Sequence, residues 1–423
     1  MLVPREGDGV DGVIKALSPV LALPSAIAGA AEALEILALE DFHPDALFRR
    51  LAVFRDPPRA AAPAAAVASG GGDASDDMAR LLGKRPATPA ARAQPSAASG
   101  VDDLIRNIIA AHVVSAPAHA PLDAVALGRI MRVVLHEPAF QALEARWRAL
   151  ELLASRAEES IEIAVLDVTR AELVADLLPG GADAGGGASL EGSGLAKRVL
   201  SPPGGRPFAA LIGDFAFGPG AEDTALLGRL GTLAAAARAP LVTGAAPALM
   251  GCRSLAGADE PARWEALSTD DARRWQALRR APAAAWIGLA LPRFLARAPY
   301  GAKTVAVDAF DFEEIEGRPA PEALCWASGA FLCALTLARG EEADDSNEID
   351  DLPFFTFRSE GDVEMYPNAE VFWGQRAADA AIARGLVPLL CSRNGNAVRL
   401  VRVQSIADPP LALGAGASAD ADD

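Results

Sequence analysis

At 423 residues, 51% of them hydrophobic, the chain is long enough for one large domain or two ordinary ones and can bury a substantial core. Its formal net charge of −17, from 56 acidic residues against 39 lysines and arginines, sets nucleic acid aside as a partner, because phosphate binding needs a basic surplus on one face. Cys252, Cys325, Cys333 and Cys391 never form a C-x-x-C pair, which argues against a disulfide framework or zinc knuckle and suits a reducing compartment.

The first residues, Met1 to Asp8, lack a basic stretch followed by an apolar one, so no signal peptide is expected. No segment reaches the roughly 18 unbroken apolar residues of a membrane span, and a cytoplasmic protein is expected. Residues 1–56 form a short apolar-patterned unit. Asp41 or His43 with Pro44 marks a helix start there, since proline is tolerated in a first turn, and the helix would set Leu47, Leu51 and Phe54 on one face. From 57 to 100 the chain collapses into Ala, Pro, Gly and Ser, a linker composition that cannot offset the entropy of ordering.

Residues 101–109 have the spacing of a short amphipathic helix. A longer helix begins near Pro138: Phe140, Leu143, Trp147, Leu150 and Ala154 recur at helical spacing, with Glu144 and Arg148 expected to pair on its wet side. Residues 161–166 suggest a strand, and Thr169-Arg-Ala-Glu172 a capping box opening another helix. The Gly- and Pro-rich stretch 180–207 suggests a mobile loop. A strand at 208–213, an Ala/Leu helix at 221–237 and a strand at 240–244 make a crossover that favours parallel pairing. A further strand, 285–290, stops at Pro292. An acidic loop occupies 341–351, residues 397–404 have strand character, and the tail from 411 is expected to be disordered. No internal repeat is visible. The expected fold is α/β (α+β), a mixed sheet with flanking helices.

Five segments carry more than periodicity. They are Leu135-His-Glu-Pro-Ala-Phe-Gln-Ala-Leu-Glu-Ala-Arg-Trp-Arg-Ala-Leu150; Arg206-Pro-Phe-Ala-Ala-Leu-Ile-Gly-Asp-Phe215; Ala239-Pro-Leu-Val-Thr-Gly-Ala-Ala-Pro247; Ile287-Gly-Leu-Ala-Leu-Pro-Arg-Phe-Leu-Ala-Arg-Ala-Pro-Tyr-Gly301; and Gly385-Leu-Val-Pro-Leu-Leu-Cys391 with Val403-Gln-Ser405. In this order, across residues 101–410, they resemble the large contractile-sheath subunit of bacterial type VI secretion systems, the TssC or VipB family. Phe140, Gln141, Trp147, Gly213, Asp214, Pro292, Arg293, Tyr300 and Gly301 are the motif residues. Asp41-Phe-His-Pro-Asp-Ala-Leu47 resembles the matching helix start of the small sheath subunit, without the apolar strand that normally precedes it.

The resemblance implies a sheath protomer fold whose strands are completed by neighbours. It also implies self-association into a helical sheath, a small-subunit partner, an Hcp-type inner tube, a baseplate and a ClpV-type unfoldase, with no enzyme activity, cofactor or metal. Strand addition through main-chain hydrogen bonds would keep such links intact while rigid bodies rotate. Val398, Leu400, Val401 and Val403 are candidates for a donated strand or for an ordinary edge strand within the chain. Asp102, Leu104, Ile105 and Ile108 are candidates for the unfoldase-recognition helix or for a plain packing helix.

Enzyme signatures are weak throughout. His43, His112, His119 and His136 have no metal-site spacing, and neither G-x-S-x-G nor H-E-x-x-H occurs. Gly301-Ala-Lys-Thr304 lacks the earlier glycine and the adjacent Gly-Lys of a phosphate loop. Asp214 follows an apolar strand, where α/β enzymes place carboxylates, but is better suited to ending the strand. Asp311, Glu313, Glu314 and Glu316 look like a solvated edge. Arg293 and Tyr300 are expected to anchor elements or subunits. Two further readings stand beside the sheath subunit: a sheath-like baseplate adaptor that does not propagate, and a soluble α/β enzyme or ligand-binding protein.

Overall fold

The computed structural model describes residues 9–24, 32–55, 124–158, 160–181, 190–202, 204–339, 347–359, 361–393 and 395–414. The expected linker at 57–100 and the helix with Asp102, Leu104, Ile105 and Ile108 lie outside the described residues.

The N-terminal part opens with α1 (Gly9–Leu17), whose Val10, Val13 and Ile14 form one buried stripe, then the antiparallel pair β1 (Val20–Leu23) and β2 (Glu32–Glu35). Helix α2 (Pro44–Arg50) begins where expected. His43 is its N-cap, with Nδ1 accepting from the Asp45 N–H at 3.2 Å, and Pro44 fills the first turn. The run breaks at Leu51 into a separate α3 (Ala52–Arg55), yet Leu47, Leu51 and Phe54 are all buried.

Next come α4 (Ala124–Leu135) and α5 (Pro138–Arg156). The Glu137 carboxylate caps α5 by accepting from Ala139 N (2.6 Å) and Phe140 N (2.9 Å). The expected strand at 161–166 is not formed: the stretch is irregular apart from a single bridge position at Val165. Its alternation placed Ile163 against the core without a ladder alongside. The Thr169–Glu172 box does open α6 (Arg170–Leu177). The glycine-rich stretch after it contains a helix, α7 (Gly194–Leu200), which corrects the loop expectation. Asp176 and Ser193 satisfy its first N–H groups, and Ala196 and Val199 bury against Leu233.

The centre is a six-stranded mixed sheet. Strand β3 (Leu211–Phe217) is followed by α8 (Ala221–Ala237), β4 (Leu241–Ala245), α9 (Thr269–Arg279) and β5 (Ile287–Leu291). The short pair β6 (Phe294–Leu295) and β7 (Trp326–Ala327) precedes α10 (Ala330–Ala338) and β8 (Glu348–Ile349). The hairpin β9 (Thr356–Ser359) and β10 (Asp362–Met365) then leads to α11 (Gln375–Ala383), β11 (Val387–Cys391) and β12 (Val398–Leu400). The sheet runs β3-β4-β5-β11-β12-β8, parallel from β3 to β11 and antiparallel beyond.

Helices cover both faces. Leu241, Ile287, Leu289 and Leu291 pack beneath α8, α9 and α11, whereas Val242, Ala290, Val387 and Leu389 pack beneath α5 and α10. Burial on both sides is why β4 and β5 are apolar without alternation. Helix α8 lies so close that a Cβ on Gly231 would sit 2.9 Å from the Ala283 carbonyl. Gly231→Ala is expected to destabilise by about 1–3 kcal/mol, read as a lower thermal midpoint.

Two sequence expectations need correction at the C-terminal end. Val398 to Leu400 form β12, an interior strand paired with β11 on one flank and β8 on the other within the chain. Val401 N donates to Pro388 O at 3.1 Å and Val403 packs on the core, so these four residues are not a strand free for donation. Their alternation reported a sheet position, which period alone does not distinguish from an open edge. The tail is ordered past 411: Ser405 N donates to Leu411 O at 3.1 Å, and Gly414 N to Ala285 O at 2.8 Å, seating Leu413 near Gly288. Residues 415–423 lie outside the described residues.

Candidate functional site

Two places gather the motif residues. The first is where α5 meets the stretch after β5. Helical spacing puts Phe140, Glu144 and Trp147 on the buried side of α5. Glu144 is therefore fully buried, not on the wet side, and Arg148 follows it inward. Glu144 Oε1 accepts from Arg148 Nε at 2.8 Å, Arg297 Nε at 2.7 Å and the Tyr300 hydroxyl at 3.2 Å. Arg297 also grips Glu314 through Nη1 (2.6 Å) and Nη2 (3.1 Å), and the Tyr300 N–H donates to Glu314 at 2.8 Å. The Arg297 guanidinium lies 4.1 Å from the Tyr300 ring centroid, and Arg148 Nη2 donates to the Tyr300 hydroxyl at 2.9 Å.

Burial alone would raise both carboxyls, but the guanidiniums reverse it. Arg297 and Arg148 hold Glu144 below its ordinary value, and Arg297 with the His136 ring brings Glu314 down to about 2. Burial and the Glu144 charge push the Tyr300 hydroxyl up. Two carboxylates face two guanidiniums, so the charges are directed at one another and join three stretches of chain. This corrects the solvated-edge expectation: residues 311–314 alternate, with Asp311 and Glu313 exposed and Phe312 and Glu314 buried. Phe312 beside Glu314 was the available signal. Arg297 and His136 lie inside two of the motif segments, but nothing in their spacing marks them as partners of a buried acid.

Around this cluster the other motif residues take structural positions. Gln141 donates to Glu322 O at 3.2 Å, and a Cβ on Gly301 would overlap the Glu313 carboxylate. Pro292 is buried at the end of β5. Arg293 forms a two-pronged bridge to Glu370 (2.9 and 2.7 Å), an anchor between elements of the same chain. Burial raises the Cys325 thiol and pushes that of Cys333 up to about 12.

The second place is the outer strand of the sheet. Among the described residues β3 pairs with β4 alone, and Leu211 to Phe215 are half-buried. Asp214 does not end the strand: it sits inside β3, at a register shift, bonded to Arg146 of α5 at 2.6 Å. The shift is fixed by buried Thr243, whose hydroxyl faces the carbonyl oxygens of Gly213 (2.8 Å) and Phe215 (2.7 Å). A Cβ on Gly213 would stand 3.1 Å from that hydroxyl. Thr243→Val, nearly isosteric, is expected to destabilise by about 1–3 kcal/mol in chemical denaturation by removing the one hydroxyl proton that these two carbonyls share. No group of His, Cys, Asp and Glu suited to a metal ion occurs among the described residues, and no described helix is long and apolar enough to cross a membrane.

Comparison with known proteins places this geometry in context. Residues 118–407 match the VipB family, described as EvpB/VC_A0108, tail sheath N-terminal domain. The chain is also 30% identical over 308 residues to the type VI secretion system sheath protein TssC1 of Pseudomonas aeruginosa, an alignment covering 69% of this chain and 61% of that protein. The buried charge cluster, the bulged edge strand and all five motif segments fall within the matched region. The chain belongs to the VipB tail-sheath family.

Proposed function

We propose that the protein is a structural subunit of a type VI secretion contractile sheath, cytoplasmic and without enzymatic activity, which polymerises around an inner tube and contracts to propel it. The observation that carries this reading is the family match across 118–407, which takes in the whole sheet and the charge cluster. The three-layer body suits a protomer that moves as a rigid unit. The β3 edge, with one strand partner among the described residues, suits main-chain pairing with a neighbour. In this reading Arg297 and its partners keep the body stiff while contacts between copies rearrange.

The partners proposed are further copies of the chain, a small sheath subunit, an Hcp-type inner tube and a baseplate. A ClpV-type unfoldase would recognise the stretch bearing Asp102, Leu104, Ile105 and Ile108. Electron microscopy of the chain co-expressed with a small sheath subunit tests the reading. Long striated tubes support it; discrete complexes would point to a non-propagating adaptor, and an inert monomer would overturn it.

A further inference from the structure

The N-terminal residues hold together largely on their own terms. Asp41 accepts from Leu37 N at 2.7 Å and Ala38 N at 3.2 Å, and pairs with Arg50 at 2.7 Å. Asp11 accepts from Leu39 N at 2.9 Å, and Glu32 from Ala52 N at 3.2 Å. The same stretch is then pressed onto the body. Val10, Ile14, Ile36, Phe42 and Leu47 share one buried cluster with Met131, Leu135, Phe140, Trp147, Tyr300 and Phe312.

The docking contacts are specific. Phe42 meets Phe140 edge-on at 5.5 Å, and the His43 ring meets Tyr300 at 5.0 Å. Phe48 packs on Phe310 at 5.4 Å. The Asp45 carboxylate accepts from Asp308 N (3.1 Å) and Ala309 N (2.8 Å). Phe42, His43 and Asp45 come from the Asp41–Leu47 stretch whose sequence resembles the small sheath subunit. The stretch that resembles a separate chain thus supplies part of the docking surface, alongside Val10, Ile14, Ile36 and Phe48.

We propose that residues 9–24 and 32–55 are a built-in docking module, and that they fill a face formed by α4, α5 and residues 300–312 which a separate chain bearing the same Asp-Phe-His-Pro-Asp-Ala-Leu stretch would otherwise occupy. Docking itself stands on the contacts above; the identity of the excluded partner rests on the sheath reading. A small subunit then engages this protein elsewhere, and this face is closed to it while the module is bound.

The test uses the full chain with a protease site inserted after Ala61, cut after folding. The two pieces are expected to co-elute on native size exclusion; separate elution would overturn the proposal. Asp45→Ala and, independently, Phe48→Ala should each speed release of a labelled N-terminal piece by at least tenfold, and unchanged release in both would overturn the assigned contacts. A synthetic peptide of residues 36–50 in excess should displace the labelled piece, and failure to do so would count against the face. A small sheath subunit carrying the stretch should displace it too, whereas one with the stretch replaced by Gly and Ser should not. Displacement by the peptide but not by the small subunit would overturn the partner assignment while leaving the docking intact. Absence of tubes in microscopy, with the pieces still co-eluting, would fault the sheath reading instead.

Discussion

Arg297→Ala is expected to lower stability by about 3–5 kcal/mol, because it strips the shared partner from two carboxylates that are almost wholly buried. Glu144 keeps Arg148, but Glu314 is left with the Tyr300 N–H at 2.8 Å and the His136 ring nitrogen at 3.6 Å. In a domain of this size the loss corresponds to a fall in thermal midpoint on the order of 10 °C. A double replacement of Arg297 and Glu314 by apolar residues of similar volume should be milder than Arg297→Ala alone, since Glu144 keeps Arg148 and no carboxylate is left without its cation.

The same network sets an acid limb. Glu314 is depressed to about 2 in the folded protein and Glu144 is also lowered, against about 4.3 for an unfolded glutamate. Below about pH 4.3 the unfolded chain takes up protons that the folded one refuses. The network's contribution is therefore fully present above that value and drains away as pH falls toward 2. Denaturation measured from pH 6 down to 2 should show this decline, and Glu314→Gln should flatten it. An unchanged limb in that variant would remove Glu314 as its source.

Ile212→Pro is expected to abolish tube formation while the unassembled protein stays folded. Leu211 N donates to Pro240 O at 2.9 Å, on the β4 side, so strand alternation turns the Ile212 N–H outward. Proline there removes an outward donor and leaves the β3–β4 ladder in place. The lost side-chain packing should lower stability by about 1–2 kcal/mol, a few degrees in thermal midpoint. Assembly should fail at least tenfold above the wild-type critical concentration, measured by pelleting. Normal tubes from the variant would show that neighbours do not pair along β3.

Much of the frame was legible in the sequence. Pro138, Thr169 with Glu172, and the apolar strands around Val242 and Leu289 announced α5, α6 and the parallel core by capping chemistry and unbroken hydrophobicity. What escaped notice was tertiary. Glu144 and Arg148 four residues apart look like a surface pair until Arg297, far along the chain, turns them inward. Glycine content masks α7, whose first N–H groups are satisfied by Asp176 of the preceding helix α6 together with the N-cap Ser193. The stretch 397–404 advertised a strand truthfully but not its neighbours: β8, which seals β12, is only two residues long. Among the described residues β3 is the longer of the two end strands, and Asp214 inside it reads as a terminus because the bulge fixed by Thr243 leaves no trace in periodicity.

Amide hydrogen exchange at Ile212 and Asp214, compared between the unassembled chain and assembled tubes, tests most directly whether neighbours pair along β3. Fast exchange in the free protein and at least hundredfold slower exchange in tubes is the outcome predicted. Equal rates in both states, with tubes intact, would mean that copies of the chain are joined by other contacts.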